Sequence, residues 1–138
     1  MKVNSRKSLI SRFEASAVEV RHTDKSGETR RLADRVRLRD GVIGKTRGLI
    51  GSRPLCDGEA MVFRFRRASS RNVHTLFVRD PLDVLWAETE TVTHVSTMSP
   101  WSLGESAEAD TIIELPAGTA SSVRAGSIVR LARRDEQD

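Results

Sequence analysis

The sequence predicts a mainly β fold: one compact domain of about eight mostly antiparallel strands in a small barrel or sandwich, with one short helix near residues 43–52. Three observations point there. Apolar residues recur at every second position in segment after segment, glycine-bearing turns separate those segments, and the single stretch of helical character is interrupted by its own glycines. A chain of 138 residues is long enough for one real hydrophobic core.

The elements follow in order. SAVEVRH (16–22) sets Val18 and Val20 on one face and Glu19 and Arg21 on the other. DKSGE then reads as a hairpin tip. RVRLR (35–39) buries Val36 and Leu38 between arginines, and IGKTRGLIGS (43–52) allows about two helical turns at most. MVFRFR (61–66) turns Met61, Phe63 and Phe65 inward and Arg64 and Arg66 outward. Further strands are expected at 73–78, 83–88, 91–97, 111–116 and 127–132, which are rich in β-branched residues. RDG, CDG and PAG supply the remaining turns. The organisation expected is a basic N-terminal arm with a first strand (1–32), a β-rich body (33–131) and a charged tail (132–138).

Composition narrows the classes. With 38% hydrophobic and 30% charged residues the chain is an ordinary globular sequence, not a disordered one. No apolar stretch approaches the roughly 20 residues that span a bilayer, and the basic opening MKVNSRKSLISRF lacks the apolar core of a signal peptide. A lone cysteine, Cys56, precludes an internal disulfide, and a cytoplasmic location is the expectation. The net charge of +4 invites a nucleic-acid reading, but it resides in residues 1–32, where eight Lys/Arg face four Asp/Glu. Within the body RFRRASSR (64–71) has four arginines and no acid, whereas residues 80–123 hold eight acids and no Lys or Arg. Such an acidic span repels phosphate, so nucleic acid is disfavoured as a partner.

Several motifs fail on their surroundings. Gly44-Lys45-Thr46 ends like a phosphate-binding loop, but Arg39 stands where the loop requires its first glycine. Gly48–Gly51 mimics a KH clamp without the long flanking helices. No metal-binding spacing exists; His74, Asp80, Asp83 and His94 could hold an ion only if two strands brought them together. The serines have no nucleophile-elbow context, and Cys56 beside Asp57 has little that would make a thiolate. No cofactor or metal is expected.

Two carboxylates interrupt apolar runs. In HTLFVRDPLDVLWAE (74–88), Pro81 cannot donate to a ladder, so the chain must bend, and Asp83 opens the next strand. A carboxylate at such a corner either accepts bonds from freed backbone amides or faces a cation, and Arg47, flanked by glycines, is the candidate. Glu114 sits alone in TIIELPAG, and a buried glutamate requires a partner.

RGLIGS (47–52), GEAMVFRF (58–65), PLDVLW (81–86) and IIELPAG (112–118), in this order and spacing, resemble the domain of unknown function 192 family over about residues 33–131. The resemblance implies a small single-domain β-rich fold and supplies no activity. Arg47, Asp83 and Glu114 fall on its motif positions. The family's Trp-Met-Lys-Asn-Thr before Pro-Leu-Asp is replaced here by His74, Thr75, Leu76, Phe77 and Val78, and its late Gly-Asp by Gly126-Ser127. The excess of Arg over Lys and Trp86 after Leu85 resemble an archaeal branch.

The leading expectation is a binding or accessory domain, not an enzyme, with a shallow site of Arg47, Asp83 and Glu114 edged by His74 and Trp86. Its ligand would be a small anionic group or a peptide carboxylate, clamped by Arg47. Two rivals stand beside it. One is a small hydrolase-like enzyme using Asp83 or Glu114 as general base; the other is an interaction module meeting an acidic partner or RNA through the basic arm and RFRRASSR.

Overall fold

A computed structural model describes residues 18–40, 54–75 and 78–134. The expected short helix near 43–52, Arg47 and the first 17 residues of the basic arm lie outside the described residues. Eight strands follow in chain order: β1 (Val18–Thr23), β2 (Thr29–Ala33), β3 (Arg35–Asp40), β4 (Glu59–Val73), β5 (Leu82–Glu88), β6 (Thr91–Met98), β7 (Glu105–Pro116) and β8 (Ile128–Arg133). No helix occurs among the described residues.

All eight strands join one sheet in the order β2-β1-β8-β6-β5-β7-β4-β3. Neighbours pair antiparallel except β3 and β4, which run parallel from Arg35↔Glu59 to Asp40↔Arg64. The sheet is curled but not closed. Its two edges, β2 and β3, are separated in the chain by Asp34 alone, and β1 approaches β3 across the curl. At that corner the amides of Asp34 and Arg35 both donate to Gly58 O, at 2.9 and 3.1 Å, so they bind the turn before β4 instead of a closing ladder. The expected barrel or sandwich is therefore a single wrapped sheet that, among the described residues, ends at β2 on one side and β3 on the other.

Two strand readings change. β2, Thr29-Arg30-Arg31-Leu32-Ala33, has no apolar alternation because it is an edge strand exposing Thr29, Arg30 and Arg31; charge there blocks pairing with other chains. Of the expected strand at 73–78, only Val73 lies in a strand among the described residues, which omit 76 and 77. Val73 ends β4, and Thr75 beyond it is a fully buried hub. Its hydroxyl donates to Ser99 O at 2.6 Å and accepts the Ser102 amide at 2.8 Å, while its carbonyl accepts the amides of Val78 and Trp101. β4 instead runs back through the arginine-rich 64–71 to pair with β7, with a register break between Arg64 and Ser69. Backbone bonding to an equally polar ESAEAD holds this extension, so side-chain periodicity could not announce it.

Side chains alternate across the sheet and form two cores. The first lies inside the curl and includes Val20, Val36, Val62, Leu85, Ile113 and Val129. The second lies on the other face and includes Met61, Phe63, Val84, Trp86, Met98 and Ile112. β5 is central and buried on both faces from Leu82 to Ala87, which is why its sequence is a nearly continuous apolar run. Alternation also misplaces Glu19 and Arg21. Both are buried, joined by an Arg21 Nε–Glu19 Oε2 contact of 2.9 Å, because an ion pair with its hydrogen bonds made can leave water where a lone charge cannot.

Candidate functional site

The opening residues of β5 answer the question raised by the proline. Pro81 is exposed just before the strand, and Asp83 behind it is 2% exposed. Its Oδ2 accepts the amides of Gly118 and Ala120 at 2.9 and 2.8 Å, and its Oδ1 accepts the Thr97 hydroxyl at 2.7 Å. These amides belong to the turn after β7, where Gly118 adopts φ 94°, a left-handed conformation that glycine enters without strain. Asp83 thus ties the start of segment 117–127 to the sheet, and Ala120 and Val123 of that segment are buried in the first core. With both oxygens engaged, its duty is structural.

Glu114 is built differently. Cross-strand register sets Glu114 beside Met61 of β4 and Val84 of β5, in the second core. Asp83 is paired with Leu115, and both ladders are uninterrupted there, so Asp83 projects to the first face and Glu114 to the second. The two carboxylates therefore do not converge. A shared site of Arg47, Asp83 and Glu114 is ruled out for that pair by the period-two geometry of adjacent residues.

Glu114 is 7% exposed, and no hydrogen bond or ion pair joins its carboxyl to another described residue. Burial pushes its pKa up from 4.5 to about 7, since removal from water penalises the charged form. Among the described residues, β3 and β4 carry charged groups on that face. Arg37 stands beside Met61 in the parallel register, and Glu59 lies two residues before Met61. These two make a salt bridge at 3.3 Å, and Glu59 also accepts the Cys56 amide at 2.8 Å. Sequence reasoning passed over Arg37 and Glu59; the signal available was Glu59 at the head of the apolar run AMVF.

The other expected residues fall as follows. Trp86 is completely buried, opposite Ile112 and His94, and its indole N–H donates to Arg71 O at 2.9 Å. It is core rather than the rim of a pocket. His74 is half-buried just after β4. His94 stacks at a tilt on Trp86, with ring centroids 5.0 Å apart, and its Nε2 lies 3.1 Å from Glu105 Oε1. Ser96 also donates to Glu105, and that bond, then the one to His94, holds the Glu105 carboxyl below its ordinary range. Serine and histidine both address the glutamate and not each other, so the trio lacks the order of a nucleophile relay. Among the described residues no group of three or more His, Cys, Asp or Glu side chains is placed to hold a metal ion. No helix among them is long and apolar enough to cross a membrane.

The fold has counterparts among solved structures. A protein from Sinorhizobium meliloti 1021, named as a candidate transcription regulator, superposes with a TM-score of 0.72 at 24% identity, covering 84% of this chain and 95% of its own. A protein of unknown function from Novosphingobium aromaticivorans DSM 12444 gives a TM-score of 0.70 at 20% identity, covering 81% of this chain and 83% of its own. At such identities the likeness is one of fold. No functionally curated protein matches the sequence. The family model for domain of unknown function 192, described as an uncharacterized ACR, matches residues 21–131, and the chain belongs to that family.

Proposed function

We propose that this protein is a β-rich binding domain that takes a small anionic group or peptide carboxylate on the second face of its sheet, with Glu114 as the central contact. One observation carries the reading: Glu114 is a buried residue whose carboxyl has no partner among the described residues, set beside the apolar second core. A buried polar group left unpaired is costly, and a ligand that pairs with it removes the cost. With its pKa near 7, Glu114 is protonated in mildly acidic solution and can donate a hydrogen bond to an incoming carboxylate. Arg47, on the glycine-flanked motif RGLIGS, would supply the cation, and the protein would act in the cytoplasm.

The test is thermal stabilisation of the full chain by small carboxylates and short peptides with free C-termini, at pH 6 and pH 8. Binding should weaken at pH 8 as Glu114 ionises. Glu114→Gln should keep binding but lose the pH dependence, and Arg47→Ala should abolish the stabilisation with the fold intact. Loss of the fold on Arg47→Ala, or no stabilisation by any compound at either pH, would dispose of the proposal.

The raised pKa of Glu114 also favours a second reading, a general acid–base role, because efficient proton transfer wants a group titrating near the working pH. Asp83 drops out of that reading, since its oxygens are already bonded to the backbone and Thr97. A contact with acidic partners through RFRRASSR keeps some support from the exposure of Arg64, Arg66 and Arg67. The eight acids of residues 80–123 argue against nucleic acid as that partner.

A further inference from the structure

At the end of β5 remote from Asp83, the curl of the sheet opens into a cavity of about 140 Å³ on the first face. It is lined by Arg64, Ala87, Glu90, Thr111, Val129 and Leu131. Arg64, Thr111 and Ala87 form one cross-strand row over β4, β7 and β5, and so point to the same side. Val129 is fastened opposite by its amide, which donates to Glu90 O at 2.8 Å. Glu90 belongs to the β5–β6 hairpin turn, where Thr89 and Glu90 both have positive φ, 47° and 69°. That tight turn fixes Glu90 in the cavity lining.

We propose that this cavity binds a free α-amino acid with a small branched apolar side chain. The lining offers four kinds of contact, and one ligand class uses all of them. Arg64 makes no hydrogen bond or ion pair with any described residue, and a guanidinium takes a carboxylate through two parallel bonds. Glu90 is likewise without a described ion-pair partner and takes an ammonium. Ala87, Val129 and Leu131 give an apolar floor. The Thr111 hydroxyl donates to Asp110 Oδ1 at 3.0 Å, which leaves its oxygen free to accept from the same ammonium. An inorganic anion would meet Glu90 as a like charge and leave the floor uncovered. A simple amine would leave Arg64 unused. The volume agrees with the class: a cavity of roughly 150 Å³ accommodates a molecule the size of benzene, near that of valine.

The site lies on the opposite face from Glu114, so the two proposals stand or fall separately. Amide NMR titration of the full chain with L-valine, isovalerate and isobutylamine tests it, the last two each lacking one charged group. L-Valine should give saturable shifts at Ala87, Thr111 and Val129 with a Kd of about 1 mM or tighter, as expected of a ligand with so few atoms. Isovalerate and isobutylamine should each bind at least about tenfold more weakly, a loss of one charge-assisted contact. Arg64→Gln and Glu90→Gln, both at exposed positions, should leave the remaining spectrum unchanged and weaken L-valine by a similar factor. Absence of saturable shifts, isovalerate binding as tightly as L-valine, or shifts indifferent to Arg64→Gln would overturn the proposal.

Discussion

Replacement of Glu114 by glutamine tests the electrostatics of the second core most directly. The carboxyl has an ordinary pKa of 4.5 and about 7 in the fold, because burial disfavours its charged form. Between those values the unfolded chain has released the proton and the folded chain still holds it. Stability therefore falls as pH rises through the window from 4.5 to about 7, and is level on either side. At about 1.36 kcal/mol per pH unit, the loss accumulated above the window is about 3 kcal/mol. Glutamine has nearly the same shape and cannot ionise. Glu114→Gln should thus be close to neutral near pH 4 and more stable than the parent by up to about 3 kcal/mol near pH 8. Burial, chiefly, lowers the pKa of His22 from its ordinary 6.5, so its contribution is present above 6.5 and is lost as pH falls from there toward the lower folded value. That slope is common to both proteins and cancels in their difference. Urea unfolding at pH 4 to 8, with an unchanged m-value, gives the difference curve. A mutant less stable at every pH, or a flat difference across the window, would mean that the carboxylate is stabilised in the fold, and the reasoning would be wrong.

Asp83→Ala removes the acceptor of two buried amides and a hydroxyl, which should cost about 2–4 kcal/mol by chemical denaturation. Asp83→Asn should recover only part of this, since an amide cannot accept at both positions. Thr75→Val keeps the shape but loses the bonds to Ser99 and Ser102, for a loss of about 1–3 kcal/mol and faster amide exchange over residues 99–104. Trp86→Phe leaves the Arg71 carbonyl without its indole donor and opens space in the second core, with an expected cost of about 2–4 kcal/mol in thermal or urea unfolding.

Legibility varied with how each element is held. The strands whose side chains alternate between core and water were read close to their observed bounds, as at 35–39, 91–97 and 127–132. The hairpin tip DKSGE was equally plain: Asp24 Oδ1 accepts the amides of Ser26 and Glu28, and Gly27 takes φ 91°. β2 and the outer half of β4 escaped, because an edge strand and a polar ribbon are secured by backbone bonds that any sequence can make. Asp83 was placed at a corner where it could serve freed amides, and it does so. Its expected union with Glu114 failed on parity, Asp83 pairing with Leu115 while Glu114 pairs with Val84.

The amino-acid sequence by itself determined the β class, most of the turns and the two carboxylates that break apolar runs, since all of these follow from local periodicity and the chemistry of single residues. Only the tertiary structure decided which carboxylate is satisfied and which is stranded. That outcome depends on the register between distant strands, where a shift of one residue exchanges the two faces of the sheet.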